Sequence, residues 1–215
     1  MRLLFVGAPG VGKGTQAKKV AQYQSIPHIS TGDILREAVR QGTPIGLRVK
    51  GYIDAGNLVP DSLMIDIIEE RFTRGGIAAG FLLDGFPRTL PQAEALDDLL
   101  FRMSLELQAV ILLQCPDSLI VERITGRRTC EACGTPYHVR FQMPKRGGFC
   151  DKDGSPLVQR EDDTEAKVRR RLEKFHSETE AIIPFYERQG IVRRVDASKD
   201  PDAVYRAVEA ALPKV

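Results

Sequence analysis

The sequence predicts an α/β fold in which a parallel sheet is covered by helices on both faces. Short apolar runs of strand length alternate with longer amphipathic stretches, the order in which successive strand–helix–strand units are written. The first run also breaks into a glycine-rich turn that opens directly on a helical stretch. One segment departs from the alternation. Residues from about 127 to 163 are rich in Gly, Pro and Cys, lack a helical period, and read as an insertion with its own small fold.

Leu3–Val6 is the first candidate strand, an unbroken apolar run, as a strand buried on both faces requires. The helix Lys13–Gln24 follows its turn. Pro27–Ser30 is the second strand, and Ser30-Thr31-Gly32-Asp33 supplies an N-cap for a helix over Gly32–Gln41. No element is assigned to residues 42–60. The helix Asp61–Arg74 leads to the strand Phe81–Asp84, and Leu90–Leu99 to the strand Ala109–Gln114. Asp117–Ile124 is a helix, and Thr164–Arg188 is one long helix with Val168, Leu172 and Phe175 at helical spacing. The strand Ile191–Val195 and the helix Asp202–Leu212 complete the alternation.

The turn after the first strand reads Gly7-Ala8-Pro9-Gly10-Val11-Gly12-Lys13-Gly14-Thr15. Glycines spaced G-x-x-x-x-G before a lysine let the backbone curl until successive N–H groups point into one nest for phosphate. The field of the following helix N-terminus adds to it, and Lys13 supplies a compact charge. A glycine-rich turn with an exposed lysine is the bland alternative. Strand, spacing, lysine and helix occurring in the required order argue against it, and a bound nucleoside triphosphate is expected. The usual pattern has Ser or Thr directly after the lysine, as a magnesium ligand. Gly14 stands there instead, with Thr15 one residue later. Magnesium is therefore expected through waters held by carboxylates, for which Asp33 and Asp84 are the candidates.

Composition is that of an ordinary globular protein, at 42% hydrophobic and 28% charged over 215 residues. A net charge of +2 is too mild to imply nucleic acid. The first apolar run is too short for a signal-peptide core, and no segment approaches a membrane span. A cytoplasmic protein is expected, with reduced cysteines that are read as metal-binding before disulfide.

The insertion contains Cys130-Glu-Ala-Cys133 and Cys150-Asp-Lys-Asp153. Two x₂-spaced pairs are how two knuckles offer four ligands to a tetrahedral Zn²⁺, and a carboxylate is an acceptable fourth donor. Three free thiols in a loop are the alternative, made unattractive by their exposure to oxidation. Gly134, Gly148 and Gly154 flank the knuckles where tight turns form. A closed four-ligand shell makes the metal structural. Cys115, in a strand, is a small buried hydrophobe.

Phe81-Leu-Leu-Asp-Gly-Phe-Pro-Arg88 ends a strand in a carboxylate and then places an arginine beyond the turn, at the sheet edge where ligands bind. Arg88 suits two-pronged recognition of phosphate. Arg36 lies one turn into the second helix, and Arg123, Arg127, Arg128, Arg160 and Arg171 cluster near the insertion. Isolated arginines are usually solvated; this many near a phosphate loop are expected to share phosphates. His28, His138 and His176 form no base or ligand set and are given structural or surface roles.

GAPGVGKGT, ISTGDILR, DGFPRTLPQ and GRR before the cysteine insertion resemble the adenylate kinases of long-lid bacterial type, in the right order across essentially the whole chain. The resemblance implies a five-stranded parallel core of residues 1–30, 60–125 and 164–215. It also implies a nucleoside monophosphate segment at 31–59 and a zinc-binding lid at 126–163. It assigns Gly10, Val11, Gly12, Lys13, Gly14 and Thr15 to the ATP phosphates. Arg123 and Arg127 would reach ATP, with Pro136, Tyr137 and Lys199 beside its base. Thr31, Arg36, Asn57, Leu58, Val59, Gly85, Phe86, Pro87, Arg88 and Gln92 would hold AMP. Arg160 and Arg171 would bridge the moving phosphoryl group, and Lys13, Arg88, Arg123, Arg160 and Arg171 would be catalytic. Cys130, Cys133, Cys150 and Asp153 would hold zinc. The resemblance implies ATP, AMP and ADP as partners, with no nucleic acid or membrane, and the protein is expected to be a monomer. A UMP/CMP kinase shares the loop and the DGFPR strand, but typically has Ala where Thr31 stands. A zinc-ribbon nucleic-acid-binding module is the third possibility, weakened because Arg169–Arg171 lacks an aromatic stacking platform.

Overall fold

The computed structural model describes residues 1–77 and 79–213. β1 (Arg2–Val6) runs into the glycine loop, and α1 (Lys13–Tyr23) starts immediately after Gly12, whose φ of 108° only glycine adopts freely. β2 (His28–Ser30) ends at the cap of α2 (Thr31–Arg40), where Ser30 Oγ accepts the Asp33 N–H. Thr43 caps α3 (Pro44–Asp54) in the same way through the Gly46 N–H. α4 (Asp61–Thr73) and β3 (Phe81–Asp84) follow, then α5 (Leu90–Arg102), capped by Thr89. β4 (Ala109–Gln114) leads to α6 (Asp117–Thr125). The insertion holds β5 (Arg127–Cys130), β6 (Pro136–His138) and β7 (Leu157–Val158). α7 (Glu165–Lys174), a π-helical turn (Phe175–Thr179), α8 (Ile182–Glu187), β8 (Val192–Asp196) and α9 (Pro201–Ala211) complete the chain.

The main sheet has the order β2-β3-β1-β4-β8, and every pairing in it is parallel. Alternation along β1 divides the core. Leu4 and Val6 face a cluster filled by α4 (Met64, Ile68, Phe72), α5 (Leu96, Leu100) and α8 (Ile182, Tyr186). Leu3 and Phe5 face α1 (Ala17, Val20) and α9 (Val204, Val208) on the other side. Each fully buried Leu or Phe contributes about 1.5–3 kcal/mol of transfer free energy. The sheet is thereby sealed on both faces, leaving the carboxyl ends of its strands open. The α/β class, the five strands and their parallel sense follow the sequence expectation, with strand ends shifted by at most one residue and α5 running three residues beyond Leu99.

Two assignments are corrected. Residues 44–54 form α3, which packs on α2 so closely that a Cβ at Gly46 would lie 2.0 Å from Ala38 O. The stretch 164–188 is two helices separated by a π-helical turn, in which the Glu180 N–H reaches back five residues to Phe175 O. Pro184 has no N–H and so sits in the first turn of the second helix. The insertion is a separate three-stranded antiparallel sheet of order β6-β5-β7, around a small cluster of Cys130, Tyr137, Cys150 and Leu157. Among the described residues, no helix is long and apolar enough to cross a membrane.

Candidate active site

A cleft of about 920 Å³ opens at the carboxyl ends of the central strands. Its floor is the β1–α1 loop, with Gly10, Val11, Gly12, Lys13, Gly14 and Thr15 all facing it. Lys13 Nζ donates to the carbonyls of Gly7 and Ala8, which keeps the amine over the loop. Arg36, Arg88, Arg123, Arg127, Arg160 and Arg171 enter from the surrounding elements. Asp33, Leu58, Asp84, Gly85, Pro87, Pro136, Tyr137 and Lys199 line the same space.

The cations crowd one another. Burial lowers the Lys13 ammonium to about 8, Asp84 opposing and Arg88, Arg171 and Arg127 adding to the shift. Although Arg88 opens on the cleft, loss of solvent and then Arg171 bring its guanidinium down to about 10. Arg160 falls to about 10 through burial and then through Arg36 and Arg127, and burial also lowers Arg171. Such a set favours a polyanion between its members, because each added negative charge relieves several repulsions at once.

Four carboxylates organise the cations. Arg127 makes a two-pronged pair with Asp163, Nε to Oδ2 at 2.8 Å and Nη2 to Oδ1 at 2.5 Å, and Asp163 is fully buried. Arg171 Nη1 donates to Asp162 Oδ2 at 2.8 Å. Arg36 Nη2 donates to Asp33 Oδ1 at 2.5 Å; burial pushes the Asp33 carboxyl up, but this bond, the Arg36 charge and Ser30 together leave it below its usual range. Asp84 lies against the phosphate loop. A Cβ at Gly14 would meet its Oδ2 at 3.5 Å, so this carboxylate occupies the flank on which a hydroxyl would otherwise project from residue 14. Oxygen donors of this kind suit Mg²⁺ held through water.

Several expected residues stand behind the wall of the cleft. Thr31 is buried and its Oγ1 donates to Asp84 O at 3.4 Å. Gln92 is buried too: its Oε1 accepts the Arg88 N–H at 2.8 Å and its Nε2 donates to Asp61 Oδ1 at 2.7 Å. Val59 and Phe86 belong to the sheet's core, and the Asn57 N–H caps the end of α3 on Tyr52 O. Arg123 differs most from a simple phosphate ligand. It donates to Ala197 O at 2.7 Å and to Ser198 O and Lys199 O at 3.2 Å, pinning the 197–199 loop beside the cleft. Asp61, Asp162 and Asp163 escaped sequence reasoning. The run Arg160-Glu-Asp-Asp163, acidic directly after a candidate phosphate ligand, was the available signal for the last two.

In the insertion, Cys130, Cys133, Cys150 and Asp153 bring one donor atom each within 4.8 Å of all the others. Cys133 Sγ and Cys150 Sγ are 3.6 Å apart, and Cys130 Sγ is 3.4 Å from the Asp153 carboxylate. A tetrahedral shell with bonds of about 2.3 Å sets donors about 3.8 Å apart, so the set fits Zn²⁺. The N–H groups of Cys133 and Lys152 point at Cys130 Sγ and Cys150 Sγ, the arrangement that two knuckles produce. Gly134, Gly148 and Gly154 have φ of 66°, 81° and 72° at the turns. Asp151 looks away, its Oδ1 accepting the Lys145 N–H. The Cys133 thiol and the Ser155 N–H hold the Asp153 carboxyl well below its usual range.

The sequence matches a model of the adenylate kinase family over residues 5–191. It is 48% identical to an adenylate kinase of Archaeoglobus fulgidus over 215 residues, all of this chain and 99% of the relative. An adenylate kinase of Clostridium botulinum is 48% identical over 212 residues, 99% of this chain and 98% of the relative. One of Carboxydothermus hydrogenoformans is 46% identical over 214 residues, covering the whole of both chains. A phosphate loop, a cleft of converging arginines and whole-length similarity agree, and the chain belongs to the adenylate kinase family.

Proposed function

We propose that this chain reversibly transfers the terminal phosphoryl group of MgATP to AMP, giving two ADP and balancing the adenine nucleotides. The observation that carries the reading is the convergence of Lys13 and six arginines on one cleft above the phosphate loop. An AMP phosphate oxygen forms the new bond to the γ-phosphorus while the bond to the β–γ bridging oxygen breaks, its electrons staying on ADP. The nucleophile is already anionic, so no protein base is required. Positioning and charge neutralisation supply the catalysis.

In this reading the loop from Gly10 to Thr15 cradles the ATP phosphates, and Arg123 and Arg127 reach them from the side. Pro136, Tyr137 and Lys199 flank the ATP base. Arg36 and Arg88 grip the AMP phosphate, with Thr31, Asn57, Leu58, Val59, Gly85, Phe86, Pro87 and Gln92 shaping the nucleoside site. Arg160 and Arg171 neutralise the phosphoryl group as it moves. Asp84, with Asp33, would hold Mg²⁺ through water, and the ion would supply positive charge to offset that of the ATP phosphates. Cys130, Cys133, Cys150 and Asp153 hold a structural zinc that stiffens the lid. Residues 31–59 and 126–163 close over the nucleotides and exclude water, the competing acceptor. One chain contributes every group in this scheme, which suits a monomer.

A coupled assay for ADP with AMP, CMP, UMP and GMP as acceptors tests the assignment. Turnover is expected to require Mg²⁺ and to prefer AMP. Equal rates with CMP or UMP would move the chain to the pyrimidine monophosphate kinases.

A further inference from the structure

We propose that His28 is a positioning residue that fixes the Asp84 carboxylate for its work on metal-bound water. The inference rests on the reading of Asp84 just given and extends it to a residue whose sequence context suggests only a structural role.

The register of the edge strands puts the two side chains together. His28 pairs with Leu82 and Ser30 with Asp84, so residues 28, 30, 82 and 84 project from one face and His28 lies diagonally across from Asp84. His28 Nε2 stands 3.5 Å from Asp84 Oδ2, with both side chains largely covered, at 14% and 11% exposure. Nε2 itself is buried and makes no hydrogen bond among the described residues. A buried polar atom without a partner is costly, and the carboxylate beside it is the acceptor within shortest reach. Among the described residues, His28 is the one basic side chain within ion-pair distance of Asp84.

The atom that His28 faces is the informative one. Asp84 Oδ2 is also the atom nearest to a Cβ at Gly14, where most phosphate loops carry the metal-binding hydroxyl. With glycine there, orientation of metal-bound water falls to a carboxylate that can rotate. A donor at Nε2 holds Oδ2 where it stands against the loop, and with it the orientation of the whole carboxylate. The 3.5 Å separation is long for a hydrogen bond, and such bonds tighten when substrates close a site. Nε2 carries a proton in the imidazolium and in one neutral tautomer, so the role does not require titration.

The test uses His28→Leu and His28→Phe, which fill the space without a donor, and His28→Gln, whose amide nitrogen reaches the place of Nε2. Asp84→Asn is the control, and thermal melts establish that each variant is folded. Calorimetry measures binding of a non-hydrolysable ATP analogue with Mg²⁺ and with chelator. Kinetics gives the Mg²⁺ concentration for half-maximal turnover. The Leu and Phe variants should bind the metal-free analogue as the wild type does, yet lose at least about fivefold of the gain that Mg²⁺ confers. His28→Gln should recover to within about twofold of wild type. His28→Leu should add nothing in the Asp84→Asn background, because the two residues act through one group. An Mg²⁺ dependence altered by Asp84→Asn but not by the Leu and Phe variants overturns the proposal and leaves Asp84 in its role. No change in any variant removes the role of Asp84 and the proposal with it. Equal losses with and without metal, or a folded His28→Gln that does not recover, would make His28 structural and overturn it as well.

Discussion

Arg88 donates its Nε–H to Gly85 O at 2.7 Å, which anchors the forked guanidinium in the lining of the cleft. Arg88→Lys keeps the charge and loses the fork, so kcat/KM for AMP is expected to fall at least about tenfold with an unchanged melting temperature. Unaltered kinetics would make Arg88 a surface residue. Lys13 yields a pH prediction. Burial lowers its ammonium to about 8, so in the free enzyme the charge is present below that pH and lost above it. Phosphate oxygens restore the charge once nucleotide is bound. kcat/KM for ATP should therefore decline as pH rises through about 8 while kcat declines later, and Lys13→Arg should abolish the early limb. Coincident pH limbs in kcat and kcat/KM would contradict this. The placing of Lys13 and Arg88 in one cleft, and of Cys130, Cys133 and Cys150 in one cluster, was legible in the sequence because motif spacing marks it. Asp61, Asp163 and His28 were not, since what matters about each is the partner it faces, and tertiary structure alone supplies that: Gln92, Arg127 and Asp84.

Elements were readable where one period ran unbroken and obscure where it did not. Gly46 and Gly51 interrupt the apolar pattern of α3, leaving Thr43-Pro44 as the surviving start signal. In the stretch 164–188 the period continues through the π-helical turn, and only Pro184 betrays a second helix. That turn is tied to α6 by His176, whose Nδ1 meets Glu180 Oε1 and whose Nε2 meets Asp117 Oδ2, both at 2.9 Å. Asp117, and then Glu180, raise the imidazole above its usual range. A raised folded value means that the tie stabilises fully below about pH 6.5 and fades as pH climbs through the folded value. Melting temperatures of wild type and His176→Gln should differ most near about pH 5.5 and converge by about pH 8.5. The difference should be small, because the groups are half exposed and solvent-screened. A constant difference would assign the effect to packing. The root of the lid is tighter. Gly126 has ordinary helical φ, yet a Cβ there would lie 2.3 Å from His138 Nε2. His138 Nδ1 accepts the N–H groups of Arg140 and Phe141, so the proton is assigned to Nε2, which then donates to Glu122 O at 3.2 Å. Gly126→Ala should displace this ring, cost about 1–3 kcal/mol in a denaturant melt and lower kcat more than it raises KM for AMP. Wild-type stability would show that the ring moves freely.

At the scale of the whole molecule the sheet and the lid are held by different physics, which gives the metal a distinct signature. The main sheet has helices on both faces and its own extensive apolar core. The lid's apolar cluster is Cys130, Tyr137 and Cys150 with Leu157 against them, too little to offset the chain entropy of ordering residues 126–163. Zinc bound at this cluster would supply folding energy for the insertion and little else. One zinc per chain is expected in the wild type, in Asp151→Ala, whose carboxylate faces Lys145, and in Asp153→Cys, which completes a four-sulfur shell. Asp153→Ala removes a donor from the closed shell and should bind zinc more weakly. Chelation should lower the melting temperature and split the calorimetric transition, with the lid melting first and the core retaining most of its enthalpy. Because the lid carries Arg127 and Arg160 on β5 and at its exit, the stripped protein should lose affinity for ATP before it loses affinity for AMP. Metal analysis, calorimetry and paired nucleotide titrations measure the three effects on the same samples. Full zinc in Asp153→Ala together with loss in Asp151→Ala would reverse the ligand assignment. An unchanged single transition after complete removal of the metal would show that the lid folds without it.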